Sequence, residues 1–315
     1  INPNVAAIEE EQAFTVLDRA NALRAAGHAV INLGIGQPDF TPPRHVLAAA
    51  EKAARDGPHG YSSPQGLPIL REAVAAHVGA RFKVPVAADE VVIVPGGKVT
   101  FYFACQLFGG AGAEILYPDP GFPPYRDAAR ASGARPVAYP IREEMDFGFD
   151  AEEVLSLVTP ATRLIIINSP ANPTGGVVSR RELAKLAEGL LRHPGVAVLS
   201  DEIYSHQTYD GEGFTSFLAF PELRHRTIIL DGWSKTFGMT GWRLGWLAAP
   251  ADICGAVRKV HQYGIMSAPT AAQYAGLAAL LHGEPDVQAM VHEYDRRRQV
   301  LVAGLRRIGL PTFAP

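Results

Sequence analysis

The sequence predicts an α/β protein in which helices cover both faces of a mostly parallel sheet. Short runs rich in β-branched residues alternate along the chain with helical patterns, as they do in βαβ units. Several runs are apolar at successive positions, for example LIII (164–167), which is typical of strands buried on both faces. With 315 residues, 47% of them hydrophobic, the chain can form a substantial core.

Eight predicted strands carry this pattern, and each is bounded by turn-forming residues. In chain order they are VINLGIG (30–36), EVVIVPGG (90–97), AEILYPD (113–119), ARPVAYPI (134–141), TRLIIINSP (162–170), GVAVLSDEIY (195–204), TIILDGWSK (227–235) and RLGWLAAP (243–250). Predicted helices cover 43–57, 67–82, 150–158, 179–193 and 284–309. Ser179, followed three residues later by Glu182, predicts an N-cap. The arginine row of the last helix predicts a solvated face.

Composition excludes several classes of function. Lys plus Arg (29) nearly balance Asp plus Glu (32), so no basic surface for nucleic acid is expected. Cys105 and Cys254 are far apart in apolar surroundings, which favours core thiols in a reducing, cytoplasmic compartment over a disulfide framework or a metal site. No apolar run is long enough for a membrane span, and the acidic start, which begins at Ile1 rather than Met, does not resemble a signal peptide.

Polar side chains lie at or just beyond the ends of three successive predicted strands. Asn172 follows the first, Asp201 and Tyr204 lie at the end of the second, and Ser234 and Lys235 lie at the end of the third. Ligands of open α/β sheets gather where strands end, so these residues are candidates for one site. Taken singly, Lys235 would be interpreted as a solvated lysine in a turn and Asp201 as a helix cap.

Two nucleotide-binding motifs fit this sequence poorly. A P-loop needs a glycine directly before the lysine, where this chain has Ser234. The Rossmann fingerprint needs three glycines after a strand, and only Gly34 and Gly36 are present.

Six motifs occur in order: GIGQPDF (34–40), YSSPQGLPILREA (61–73), PGGKVTFYF (95–103), NSPANPTGG (168–176), SDEIY (200–204) and SKTFGMTGWRLGW (234–246). Together they closely resemble the class I/II aminotransferases of the pyridoxal-phosphate fold-type I group. The resemblance covers nearly the whole chain. It implies a three-layer large domain at 41–283 and a smaller α/β domain formed by both chain ends, with segments 1–40 and 284–315.

The resemblance implies a transaminase that moves the amino group of an L-amino acid to a 2-oxo acid by a ping-pong mechanism, with 2-oxoglutarate the expected acceptor. Lys235 would form the Schiff base with pyridoxal 5′-phosphate and move the substrate proton. Asp201 would pair with the protonated pyridine nitrogen. Tyr204 and Asn172 would hydrogen-bond the phenolic oxygen of the ring, and Asn172 would also lie beside the substrate.

The cofactor phosphate would be bound by Gly97 and Lys98 at a helix start, together with Ser234 and Arg243. Phe122 would stack on the pyridine ring, although a loop aromatic that packs into the core is an alternative interpretation.

Two further residues would lie around the substrate and the partner subunit. Gly36 would bring its backbone close to the substrate carboxylate. Tyr61 would reach the cofactor phosphate of the neighbouring subunit of a homodimer, unless it is an ordinary surface tyrosine.

Other expectations concern the substrate and alternative functions. Relatives continue for about half a domain beyond the position of Pro315 and carry there an arginine that binds the substrate α-carboxylate, so the chain is expected to be truncated. Lys98 makes an acidic substrate plausible, since one bacterial branch of aspartate aminotransferases uses a lysine there for the distal carboxylate. A C–S lyase or other eliminating enzyme of the same fold, and a non-catalytic regulatory domain that binds the cofactor, remain alternatives.

Overall fold

A computed structural model describes residues 1–211 and 213–315. Its strands are β1 (Val91–Val94), β2 (Glu114–Asp119), β3 (Arg135–Pro140), β4 (Thr162–Asn168), β5 (Ala197–Asp201), β6 (Thr227–Gly232) and β7 (Gly245–Ala248). Its helices are α1 (Pro3–Ala6), α2 (Gln12–Ala25), α3 (Arg44–Asp56), α4 (Pro68–Phe82), α5 (Lys98–Phe108), α6 (Pro124–Ala131), α7 (Ala151–Ser156), α8 (Arg180–Leu190), α9 (Trp233–Thr236), α10 (Ala251–Gly264), α11 (Thr270–His282) and α12 (Glu284–Arg307).

The seven strands form one sheet in the order β1-β7-β6-β5-β4-β2-β3. All neighbouring pairs from β6 to β3 are parallel, and β7 runs antiparallel to both β6 and β1. In the central strands, Asn168 pairs with Asp201, which pairs with Leu230 on its other side. The carboxyl ends of β4, β5 and β6 are therefore in register, and the loops that follow them leave the sheet together.

The sheet is buried on both faces because its side chains alternate between two hydrophobic layers. In β1, Val91 and Ile93 belong to the layer that contains Leu70 and Trp233. Val92 and Val94 belong to the opposite layer, with residues of α5 and α6. The prediction of a mostly parallel sheet covered on both faces is confirmed, and it explains why these strands are apolar at successive positions.

Seven of the eight predicted strands are present, with narrower bounds, but the strand predicted at 30–36 is wrong. That segment has no strand partner among the described residues, and Ile31 and Leu33 are 89% and 92% exposed. An apolar β-branched run forms a strand only when a neighbouring strand takes its backbone hydrogen bonds.

Two local predictions have different outcomes. Ser179 Oγ accepts the amide hydrogen of Glu182, as an N-cap should. The prediction that the arginines of α12 form a solvated face is wrong at Arg298. Its side chain is only 9% exposed and pairs with Asp210 and Asp295.

The free thiols of Cys105 and Cys254 are both buried, as predicted, and burial raises the pKa of each to about 12. The division into segments 1–40, 41–283 and 284–315 stays a prediction. No helix in the described part of the chain is both long and apolar enough to cross a membrane.

Candidate active site

Lys235 lies in the single turn of α9, three residues after the buried strand β6. Its Nζ donates a hydrogen bond to the carbonyl of Gly36 (2.8 Å) and lies 5.6 Å from the centre of the Tyr204 ring. Burial, and secondarily the positive charge of Arg243, lowers the pKa of the Lys235 amine. A lower pKa enlarges the fraction of free amine, the form that acts as a nucleophile or a base.

Asp201 ends β5 and is 5% exposed. Its carboxylate accepts hydrogen bonds from the Tyr125 hydroxyl (2.7 Å) and from the amide of Ile203 (3.2 Å). Burial raises the pKa of Asp201 to about 6, and these two hydrogen bonds oppose the rise. A buried carboxylate of this kind is stabilised by a cationic partner, which is what a protonated pyridine nitrogen provides.

Tyr204 follows Asp201 by three residues, on the loop that leaves β5. Burial, followed by the charge of Asp201, raises the pKa of its hydroxyl to about 12. The hydroxyl therefore keeps its proton at neutral pH and is available as a hydrogen-bond donor.

Asn172 follows β4, and its position depends on a residue that the sequence interpretation did not select. The backbone amide of Asn172 donates to Asn168 Oδ1 (2.8 Å), and Asn168 Nδ2 donates to the backbone carbonyl of Asp201 (3.2 Å). Asn168 thus ties the loops after β4 and β5 together, and the NSP motif that contains it was the available signal.

The predicted phosphate-binding residues meet around two glycines. A Cβ at Gly96, which has a positive φ of 88°, would overlap the Arg243 guanidinium, and a Cβ at Gly97 would lie 2.9 Å from Leu230. Arg243 itself adopts a left-handed conformation (φ 52°) and donates to the carbonyl of Thr240 (2.8 Å). Gly96 is favoured because its positive φ strains other residues and because a Cβ would displace the Arg243 guanidinium, whereas at Gly97 a Cβ would press on the Leu230 side chain.

This region fits a phosphate group. It combines a guanidinium with the backbone at the start of α5, and Ser234 lies in the turn that also carries Lys235. Helix starts and guanidinium groups are both favourable for oxyanions. Together with Lys235 and Asp201, the donor set suits a phosphorylated pyridine aldehyde.

Phe122 lies partly buried beside this region, with edge contacts to Phe101 and Tyr125 (ring centres 6.1 and 5.5 Å apart). The Lys98 ammonium lies 5.5 Å from the Phe122 ring centre. Lys98 also pairs with the carboxylate of Glu11, a contact that the sequence interpretation missed. Stacking of Phe122 on the cofactor and a phosphate contact of Lys98 stay predictions.

Two candidates are less constrained by protein contacts. The carbonyl of Gly36 accepts the Lys235 hydrogen bond, but a Cβ there would meet no atom of the described part of the chain within 4 Å. Tyr61 is 89% exposed. The substrate contact of Gly36 and the contact of Tyr61 with a neighbouring subunit stay predictions.

A buried polar cluster behind the site was also missed. Arg81, on α4, donates to the hydroxyl and the carbonyl of Ser205 (3.0 and 2.8 Å), and Ser205 Oγ lies 3.2 Å from Asp231. Glu202 accepts three hydrogen bonds through Oε1, while its Oε2 is buried and has no hydrogen-bond partner among the described residues. Burial raises the pKa of Asp231 to about 7 and that of Glu202 to about 8. Glu202 lies within the SDEIY motif and Asp231 within a predicted strand, whereas nothing local marks Arg81.

Comparison with known proteins agrees with this geometry. The family model for aminotransferase class I and II matches residues 28–315. An aspartate aminotransferase of Pyrococcus abyssi is 38% identical over 289 residues, covering 91% of this chain and 74% of the relative. An aromatic-amino-acid aminotransferase of Thermococcus litoralis is 37% identical over 293 residues, covering 91% of this chain and 74% of the relative. The solved structure of Thermus thermophilus aspartate aminotransferase with maleate has a TM-score of 0.93 at 33% identity, covering 100% of this chain and 83% of that one.

Proposed function

The chain belongs to the class I and II aminotransferases, a family of pyridoxal 5′-phosphate enzymes, and we propose that it transfers the amino group of an L-amino acid to 2-oxoglutarate by a ping-pong mechanism at Lys235. The observation that carries the proposal is the place of three residues at one edge of the sheet: Asp201 is buried at the end of β5, Lys235 follows the neighbouring parallel strand β6, and the charge of Arg243 acts on the Lys235 amine. The substrates are small molecules, an amino acid and an oxo acid.

Each side chain has a chemical role that follows from its surroundings. The cofactor, when bound, accepts the electron pair left at the substrate Cα. Lys235 holds the cofactor, and its amine moves a proton to and from the substrate Cα, because its lowered pKa enlarges the fraction of free base. Asp201 balances the positive charge of the pyridine nitrogen, and the hydrogen bonds from Tyr125 and the Ile203 amide favour the ionised form of that carboxylate.

The remaining residues bind and orient. The Tyr204 hydroxyl, which stays protonated, donates a hydrogen bond together with Asn172 to the phenolic oxygen. Arg243, Ser234 and the backbone at Gly97 hold the phosphate. Phe122 provides an apolar wall for the ring.

Initial-rate kinetics test this function. With 2-oxoglutarate as acceptor, double-reciprocal plots at several amino acid concentrations should be parallel, and one glutamate should form for every oxo acid produced. Formation of ammonia and oxo acid without any acceptor would overturn the proposal in favour of an eliminating enzyme.

We also infer a cytoplasmic homodimer in which Tyr61 reaches the neighbouring site. In support, Tyr61 and Tyr263 are 89% and 94% exposed, and Ile69 and Ile265 are also exposed; large exposed apolar side chains are often interface residues. Sedimentation equilibrium should give twice the chain mass. A monomer that retains full activity would refute the dimer without affecting the transaminase assignment.

A further inference from the structure

The loop that carries Tyr204 is held from outside the site by Arg81, near the end of α4. One guanidinium makes two hydrogen bonds to Ser205, the residue directly after Tyr204. Its Nη1 donates to the Ser205 hydroxyl (3.0 Å) and its Nη2 to the Ser205 carbonyl (2.8 Å). Ser205 is 2% exposed, so water does not compete for these bonds. Because a planar guanidinium that donates twice fixes both the position and the orientation of its partner, Arg81 determines where the backbone after Tyr204 lies.

Arg81 is itself held in place by its surroundings. Its guanidinium carbon lies 5.1 and 6.0 Å from the ring centres of Phe82 and Phe214, and its Nη1 also contacts Nε2 of His206. Burial, followed by the positive charge of Arg81, lowers the pKa of His206 to about 3. The imidazole is therefore neutral at physiological pH and accepts a hydrogen bond from the arginine through one ring nitrogen.

Ser205 in turn joins two segments of the site. Because its hydroxyl accepts a hydrogen bond from the guanidinium, it donates its own proton to Asp231 Oδ2, 3.2 Å away. The other oxygen of Asp231 accepts from the amide of Gly232 (2.6 Å), the residue directly before the turn α9 that carries Lys235. Burial raises the pKa of Asp231, and the charge of Arg81 opposes that rise. The loop after β5 and the end of β6 are thus connected through one serine.

This connection bears on the geometry between Tyr204 and Lys235. The Lys235 Nζ lies 5.6 Å from the centre of the Tyr204 ring. Gln207, three residues after Tyr204, donates to the carbonyl of Lys235 (3.4 Å). Among the described residues, only Arg81 donates to the Ser205 carbonyl. The short segment between the tyrosine and the Gln207 contact therefore depends on Arg81 for its position.

We propose that Arg81 is a positioning residue for Tyr204: by holding Ser205, it keeps the tyrosine ring beside the Lys235 amine, so that the hydroxyl donates to the bound cofactor in one fixed geometry. This inference rests on the proposed function. Arg81 acts through Ser205 and needs no contact with cofactor or substrate. A hydrogen bond to the phenolic oxygen favours the charged form of that oxygen. A displaced Tyr204 hydroxyl should therefore raise the pH at which the visible band of the bound cofactor changes.

The test is a double-mutant cycle that is read from the visible absorption spectrum of the cofactor-loaded protein between pH 5 and 10. Arg81→Met removes every donor and should raise the pH midpoint of the band by about one unit, the lower end of what one hydrogen bond to a charged group contributes. In a Tyr204→Phe background, Arg81→Met should cause no further shift, because the hydroxyl through which it acts is gone. An unchanged midpoint in Arg81→Met, or equal shifts in both backgrounds, overturns the inference.

Arg71→Met is the matched control. Arg71 lies on the same helix, is also partly buried, and donates to a backbone carbonyl, that of Ala88 (2.9 Å), just before the edge strand β1. This substitution should leave the midpoint unchanged. Arg81→Lys separates geometry from charge, because an ammonium retains the charge beside Asp231 but lacks the paired donors of the guanidinium. Only part of the shift should be recovered, and full recovery would overturn the positioning role in favour of charge alone.

Hydrogen exchange of the apoprotein provides a readout that needs no cofactor. Relative to exchange in β4, which reports global destabilisation, Arg81→Met should speed amide exchange across residues 203–207 about tenfold, and Arg71→Met should not. If the wild type forms no visible band with pyridoxal phosphate, the proposed function fails, and the exchange rates still decide the role of Arg81. Unchanged exchange across 203–207 in Arg81→Met would overturn the inference, because the loop would then hold its place without the arginine.

Discussion

Replacing Tyr125 with phenylalanine isolates the hydrogen bond that sets the charge of Asp201. The substitution removes only the hydroxyl, 2.7 Å from the carboxylate. The ring keeps its contacts with Phe101 and Phe122, at 5.1 and 5.5 Å between centres. Asp201 then accepts a hydrogen bond from the Ile203 amide but no longer from a side chain.

The magnitude follows from the burial of Asp201. The Tyr125 hydrogen bond is the main influence that opposes the burial-driven rise of the Asp201 pKa to about 6. A hydrogen bond to a charged group contributes about 1.5–3 kcal/mol, so without it the pKa rises further and a larger fraction of Asp201 is protonated at pH 7. A neutral carboxyl cannot balance the pyridine nitrogen. We expect pyridoxal phosphate affinity to fall about tenfold at pH 7, and the difference to shrink toward pH 9, where Asp201 ionises in both proteins.

The assay is an absorbance titration with pyridoxal phosphate from pH 6 to 9, and the chain provides a matched control. Tyr139 is as deeply buried as Tyr125 (1% exposed each), but its hydroxyl donates to the carbonyl of Ile166 (2.8 Å), away from Asp201. Tyr139→Phe should therefore lower stability without changing cofactor affinity. Equal affinities for both variants, or a loss in Tyr125→Phe that is independent of pH, would refute the reasoning.

Three further predictions concern the surroundings of the site. Arg81→Met removes the donors to Ser205 and should lower the free energy of unfolding by about 3 kcal/mol. The surface variant Arg55→Met should lower it by less than about 1 kcal/mol. Urea unfolding measures both, and equal losses would contradict a structural role for the buried Arg81. Burial raises the pKa of Glu202 from 4.5 to about 8, so between these pH values the folded state retains a proton that the unfolded state releases. The contribution of Glu202 to the free energy of unfolding is therefore complete below pH 4.5 and is lost as the pH rises to 8. The free energy of unfolding of wild type minus that of Glu202→Gln should then fall between pH 5 and 8, by at most about 1.4 kcal/mol per unit, and a flat difference would contradict the raised pKa. Arg297→Met breaks the 2.8 Å ion pair with Asp39 and should speed amide hydrogen exchange across residues 34–40. Arg296→Met, whose partner is Glu293, should not. Equal exchange rates in the two variants would show that the Arg297–Asp39 pair does not hold segment 34–40.

Local patterns were enough to predict most of the sheet and the polar residues that follow its strands. Asp201 and Lys235 were selected because each lies at or shortly beyond the end of an apolar strand and within a motif of the family, and the register of parallel strands brings such ends together. The segment 30–36 failed because strand formation depends on a partner elsewhere in the structure rather than on its own β-branched residues.

The residues that the sequence did not reveal act through contacts between distant segments. Glu11 meets Lys98 across 87 positions, and Arg81 meets Ser205 across 124. Each is an ordinary charged residue on or beside a helix, and no spacing rule links it to its partner. Tyr125 lies only three residues after Phe122, but its hydrogen bond depends on α6 bringing the hydroxyl to Asp201 at the end of β5.

The most direct test of the central claim is the visible absorption spectrum of the purified protein with pyridoxal phosphate, before and after a single L-amino acid is added without an oxo acid. We predict that the visible band of the bound cofactor is lost and that one oxo acid forms per site, and that Lys235→Ala shows neither change. An unchanged spectrum with every amino acid, or a full response in Lys235→Ala, would contradict the assignment of Lys235 as the residue on which transamination depends.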